Sequence, residues 1–179
     1  MPRYAAFLRA VNLGATRKTG SAELRSCFEG IGFDAVQTFR TSGNVVFDAS
    51  RKPSKAKIEQ ALRGCFGFDV EIFLRTAQEI RAIASHQPFE QRVVEGTKGR
   101  VQVSMLSGKP SAAVRKRVLA FATDEDRLAF GASELYWLPV GGTQESKLDT
   151  NGISKLLGST TMRTKGTVEL LSAKFFEEA

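Results

Sequence analysis

The chain has very few of the residues on which metal sites and nucleophilic catalysis depend. Its 179 residues include one histidine, His86, and two cysteines, Cys27 and Cys65. This set is too small for most zinc sites, which use four Cys, His or carboxylate ligands. A Ser-His-Asp triad would have to use His86, which lies in a polar His-Gln-Pro segment typical of a connector. We therefore expect no metal and no cofactor, and the sequence gives little support to a dedicated acid-base enzyme.

The two cysteines fall on the apolar faces of predicted helices. The simplest interpretation is that each is a small buried hydrophobic residue. We expect no disulfide, because stable disulfides are rare in cytosolic chains of this length. A catalytic thiolate is the alternative, and it would need the one histidine as its base.

Long apolar runs and nucleotide-binding motifs are also missing. No stretch approaches the roughly 18 apolar residues of a membrane span, and Met1 leads into a predicted strand without a signal-peptide pattern. We therefore expect a cytoplasmic protein with no membrane partner. Residues 141–147 contain the residue types of a phosphate-binding loop, but their spacing does not match that motif. No Gly-x-Gly-x-x-Gly run follows the first strand, which argues against a dinucleotide-binding protein.

Positive charge is in excess, with a net charge of +7. Residues 1–75 hold 12 Lys and Arg against 7 Asp and Glu, while the rest of the chain holds 14 against 12. Such a field concentrates nucleotides, nucleic acids or phosphorylated metabolites near the surface. A basic surface that only keeps the protein soluble explains the excess equally well.

The order strand–helix–strand–strand–helix–strand is predicted twice, over residues 4–75 and 100–164. An ungapped alignment matches the middle hairpins, Phe39–Phe47 with Phe130–Leu138, and each repeat ends in Arg-Thr followed by a helix. This order is that of the ferredoxin-like split βαβ unit, in which two helices cover one face of an antiparallel four-stranded sheet.

We therefore predict an α+β protein with duplicated ferredoxin-like units and antiparallel sheets. The first unit spans residues 1–75, a helix and connector span 76–99, and 100–179 hold the second unit with a C-terminal helix. Thr76-Ala77-Gln78-Glu79 has the pattern of a capping box, which predicts a helix from there to about Ser85.

Several loops are rich in Gly, Ser, Thr, Asn, Lys and Arg, and Ser21 is predicted to cap the helix after the first of them. Glycines let a backbone approach a ligand, and helix N-termini offer free N–H groups to anions. Each loop also has an ordinary interpretation as a turn or cap. A cation in the first turn of a helix is unfavourable, so Lys165 indicates a counter-charge nearby. The predicted anion-facing residues are Asn12, Lys18, Arg40, Ser146, Lys147, Arg163 and Lys165.

Nucleic acid is a competing partner, because ferredoxin-like sheets can stack aromatic side chains on single-stranded bases. Tyr4, Phe7, Phe39 and Phe47 lie on predicted strands of the first half. The ribonucleoprotein consensus is absent, however, and these rings also suit a hydrophobic core.

Five motifs are spread along most of the chain: Ala6–Gly14, Ser42–Phe47, Ser146–Leu148, Lys155–Gly158 and Thr161–Arg163. These motifs resemble those of the domain of unknown function 1697 family of mostly bacterial proteins. The resemblance implies the duplicated α+β architecture and brings no assigned activity. Where the family usually has an Asn-Trp-Asn run after the equivalent of Arg163, this chain has Thr164-Lys165-Gly166.

We expect the protein to bind an anionic, phosphate-bearing ligand. Three alternatives stay open: an enzyme that acts on a phosphorylated substrate through Lys and Arg charges, a nucleic-acid-binding module, and a self-association module. No pattern predicts the oligomeric state.

Overall fold

The computed structural model describes residues 1–9, 11–12, 17–41 and 43–177. Its strands are β1 Arg3–Leu8, β2 Asp34–Thr38, β3 Asn44–Asp48, β4 Ile72–Thr76, β5 Gln102–Met105, β6 Asp126–Phe130, β7 Glu134–Pro139 and β8 Thr161–Thr164. Its helices are α1 Ser21–Gly30, α2 Lys55–Phe66, α3 Ala77–Ser85, α4 Gln91–Glu95, α5 Ala112–Leu119, α6 Thr150–Leu157 and α7 Lys165–Phe175. Three predicted features include residues that fall outside the described ones. These residues are Ala10 in the first predicted strand, Leu13–Thr16 in the loop after it, and Ser42 in the first predicted hairpin turn.

The strands form two four-stranded antiparallel sheets with the same layout. Their orders are β2-β3-β1-β4 and β6-β7-β5-β8. In both, the first strand of the repeat lies in the middle and pairs with the third and fourth strands. The prediction of a duplicated ferredoxin-like α+β fold is therefore confirmed.

Local capping explains where the best-defined helices begin and end. The Ser54 side chain accepts a hydrogen bond from the Lys57 N–H before α2, and Gly67 ends that helix with a left-handed φ of 75°. The predicted capping box is confirmed: the Thr76 N–H donates to Glu79 Oε2 at 2.7 Å, and the Glu79 N–H donates to Thr76 Oγ1 at 3.2 Å. This reciprocal pair starts α3.

The chain divides into two compact units. The first unit combines Met1–Ala82 with the segment from Leu171 onward, and the second unit is Ile83–Leu170. The boundary therefore falls within α7. The predicted connector, residues 86–99, also holds α4, a helix of 5 residues that is too short for a periodic apolar pattern.

The two hairpins differ in loop length, which changes how the repeats align. Thr38 pairs with Val45 in the first unit, and Phe130 pairs with Leu135 in the second. The first hairpin therefore has two more residues in its loop. Because the predicted alignment had no gap, it was one residue out of register on each side of the turn.

The expectation that the cysteines form no disulfide is wrong. The structure joins Cys27 of α1 to Cys65 of α2, with 6.4 Å between their Cα atoms. The physical reason is that α1 and α2 pack against each other on one face of the sheet. Cys27 is buried as expected, whereas Cys65 is exposed.

Every helix in the described residues is too short or too polar to cross a lipid bilayer.

Candidate functional site

Three of the predicted anion-facing residues, Asn12, Lys18 and Arg40, line one pocket in the first unit. The pocket has a volume of about 400 Å³ and lies at the N-terminal end of α1. We call it the α1 pocket. Its full lining is Asn12, Lys18, Thr19, Gly20, Ser21, Leu24, Thr38, Arg40, Thr41, Gly43 and Asn44.

The N-terminus of α1 has no side-chain cap. Gly20 occupies the N-cap position with an extended backbone, so the prediction that Ser21 is the cap is wrong, and Ser21 is the first helical residue. The first backbone hydrogen bond of α1 runs from the Leu24 N–H to the Gly20 carbonyl, so the N–H groups before Leu24 have no acceptor within the helix. Glu23 places one carboxylate in this first turn. Uncapped N–H groups at the positive end of a helix dipole attract anions.

Asn12 ties together the two chain segments that form the walls of the pocket. Its Oδ1 accepts a hydrogen bond from the Thr19 N–H at 2.9 Å, and its Nδ2 donates to the Thr41 carbonyl in the hairpin loop. Asn12 also has a left-handed φ of 58°, which Asn tolerates better than most residues. The amide therefore positions the loop against the hairpin rather than standing free for a ligand.

Lys18 and Arg40 are the cations of the pocket. Both side chains are exposed, and neither forms an ion pair with a carboxylate in the described part of the chain. The Arg40 guanidinium carbon lies 5.5 Å from the centroid of the Phe39 ring. Arg40 also has a left-handed φ of 58°, a conformation that costs a non-glycine residue about 1–2 kcal/mol. Strained backbone of this kind often occurs at binding sites.

Gly43 allows the hairpin loop to approach the end of β1. Its φ is 75°, and a Cβ placed on it would lie 2.5 Å from Val11 Cγ2 and 2.9 Å from Leu8 Cβ. The Gly43 carbonyl accepts a hydrogen bond from the Leu8 N–H at 2.8 Å. This close contact brings Arg40 to the same pocket as Asn12 and Lys18.

Ser146 and Lys147 lie in the second unit, in a pocket of about 620 Å³ that is rich in carboxylates. The Ser146 hydroxyl donates to Asp126 Oδ1 at 2.6 Å and accepts from the Leu148 N–H at 3.1 Å, so it holds its own loop in place. Lys147 is exposed, but Glu125, Asp126, Glu145 and Asp149 share its pocket. Their negative charge opposes anion binding there.

Arg163 and Lys165 are buried and engaged in hydrogen bonds. Arg163 donates to Thr161 Oγ1 and to the Met162 carbonyl, each at 2.8 Å, and burial lowers the pKa of its guanidinium to about 10. The group is still charged at neutral pH. Lys165 Nζ donates to the Ala84 carbonyl at 3.0 Å and forms an ion pair with Glu169, which is the counter-charge that its position indicated. Their predicted role in ligand binding stays a prediction.

One residue that shapes the α1 pocket escaped the sequence analysis. Thr19 is 7% exposed and donates through both its N–H and its hydroxyl to Asn12 Oδ1. A threonine in a polar loop carries little signal by itself. Its position seven residues after an asparagine of left-handed backbone becomes informative only once the loop is folded.

Across the described ranges, no group of three or more His, Cys, Asp or Glu side chains is arranged to hold a metal ion.

Comparison with known proteins agrees with this fold. The sequence profile described as "Protein of unknown function (DUF1697)" matches residues 1–136. The chain belongs to this family. A solved structure described as conserved bacterial protein SP0830 from Streptococcus pneumoniae is 22% identical, with a TM-score of 0.69 over 96% of this chain and 97% of that chain. No curated protein matches the chain significantly. At this level of identity, the similarity shows a shared fold.

Proposed function

We propose that the α1 pocket binds an anionic, phosphate-bearing small molecule. The observation that carries the proposal is that Lys18 and Arg40, two cations without carboxylate partners in the described residues, converge on the uncapped N-terminus of α1. An arginine can grip two phosphate oxygens, while a lysine adds a point charge and the helix adds N–H donors.

The size of the pocket favours a small molecule over a polymer. Its volume of about 400 Å³ falls at the small end of the range for ligand pockets, roughly 300–1,000 Å³. Base stacking on the sheet has less support, because Phe7 and Phe47 are both 0% exposed. Leu24 provides an apolar wall against which an organic group of the ligand can lie.

Titration calorimetry with pyrophosphate and AMP at low salt tests this proposal. We expect the Lys18→Ala/Arg40→Ala double variant to bind at least tenfold more weakly, since each charge-assisted hydrogen bond contributes about 1.5–3 kcal/mol. The matched control is Arg51→Ala/Lys52→Ala. It removes two exposed positive charges that do not line the pocket, and should bind as the parent does.

Equal loss in both double variants would mean that only the general positive field attracts the anion. Absence of binding by the parent would overturn the proposal outright. A single-stranded oligonucleotide that binds more tightly than AMP, with a steep salt dependence, would favour the nucleic-acid alternative. Release of inorganic phosphate from a phosphate monoester would show an enzyme.

A further inference from the structure

The second unit has a small cavity between α6 and its sheet. The cavity has a volume of about 200 Å³, and carbon-rich side chains form most of its wall. We call it the α6 cavity. It is lined by Ser104, Leu128, Leu135, Trp137, Leu148, Thr150, Ile153, Ser154, Leu157, Thr160 and Met162.

The strand register shows which residues of the first unit occupy the corresponding positions. Ala6 lies between Val45 and Leu74, and Ser104 lies between Leu135 and Met162. Ala6 is 0% exposed and belongs to the first core, whereas its equivalent Ser104 is half-buried. Leu74 is half-buried, whereas its equivalent Met162 is 44% exposed. The sheet positions are thus equivalent, but they are covered to different extents.

Differences in the covering helix and linker account for the cavity. Helix α2 has 12 residues and α6 has 8. After α2, the linker to β4 contributes Phe68 and Val70 to the first core, and Val70 is 2% exposed. After α6, the linker is Gly158-Ser159-Thr160, which supplies no large apolar side chain. The shorter helix and its linker leave space above Ser104 and Met162.

We propose that the α6 cavity binds a compact apolar ligand, about the size of one substituted aromatic ring, that carries a single polar group. For comparison of size, an enclosed apolar cavity of about 150 Å³ lined by Leu, Ile and Phe binds benzene. The Ser104 hydroxyl forms no hydrogen bond to the described residues, so it can pair with the polar group of the ligand. The exposed residues Ser154 and Met162 border the route to solvent.

This site is independent of the proposed anion site. It lies in the other unit, and its lining has no charged side chain. The cavity walls would exclude a phosphate, because a bare anion in an apolar environment without a counter-charge is strongly disfavoured. The ligand class therefore differs from that of the α1 pocket.

Trp137 provides a direct readout, because it lines the cavity and is the one tryptophan of the chain. The probe is benzyl alcohol, added to the full chain while Trp137 fluorescence is excited at wavelengths that the probe does not absorb. We expect a saturable change in fluorescence. Toluene, which has the ring without the hydroxyl, should bind more weakly, and Ser104→Ala should remove that difference between the two probes.

Ser154→Leu tests the location, because it places four carbons at the cavity wall from an exposed position where a folded helix tolerates the change. It should weaken benzyl alcohol binding at least tenfold. Asn151→Leu is the matched control on the same helix, since Asn151 is exposed and does not line the cavity, and it should bind as the parent does. A fluorescence change that rises linearly without saturation, or equal affinity in Ser154→Leu and the parent, would overturn the proposal.

Discussion

Replacing Gly43 by alanine should destabilise the first unit strongly. Two separate effects contribute. With a φ of 75°, an alanine pays the left-handed penalty of about 1–2 kcal/mol. Its Cβ would also lie 2.5 Å from Val11 Cγ2 and 2.9 Å from Leu8 Cβ, and overpacking of this kind costs about 1–3 kcal/mol. We therefore expect Gly43→Ala to lower the free energy of unfolding by about 2–5 kcal/mol.

Gly67→Ala is a matched control for the backbone effect. Gly67 has the same φ of 75°, yet a Cβ there would meet nothing within 4 Å. Gly67→Ala should lower the free energy of unfolding by the left-handed penalty alone. The difference between the two variants therefore isolates the steric contact with β1. Guanidinium unfolding followed by circular dichroism measures both, since the helices of each unit contribute to the signal. If Gly43→Ala unfolds at the same denaturant concentration as Gly67→Ala, the close contact is not real.

Two further predictions concern covalent and ionic links. Peptide mapping without reductant should find Cys27 linked to Cys65, and reduction should lower the free energy of unfolding by about 2–4 kcal/mol; recovery of only free thiols would contradict this pairing. Glu169→Ala should destabilise the protein more than Lys165→Met, because only the first leaves a buried ammonium without its carboxylate. Thermal unfolding of the two variants decides the order, and the opposite order would refute the reasoning.

The regular elements could be predicted because local signals agree with the fold. Phe47 was predicted to lie on a strand and does, in β3, and a capping box at Thr76 correctly predicted a helix that ends at Ser85. In these segments the apolar period, the caps and the flanking glycine all favour the same structure. The duplicated order of elements followed from these local predictions.

The contacts between elements could not be predicted in the same way. Cys27 and Cys65 lie on separate helices, and their pairing depends on how those helices are rotated about their axes. Arg163 follows a strand pattern that gives no indication of its burial, since an arginine at a strand end is usually exposed. The α1 pocket was predictable only in part: the types of residue that bind anions were evident, but their division between two units was not.

The two extra residues of the first hairpin loop suggest how one half of a duplicated protein can acquire a role that the other half lacks. Arg40 and Thr41 belong to this longer loop, and the second hairpin is too short to hold counterparts of both. An insertion of two residues keeps the alternation of inward and outward side chains along both strands, because the pleat repeats every two residues. The sheet therefore stays intact while a new charged loop is added at its edge. If the halves descend from one ancestral unit, a change of this size is enough to make their surfaces diverge without altering the core.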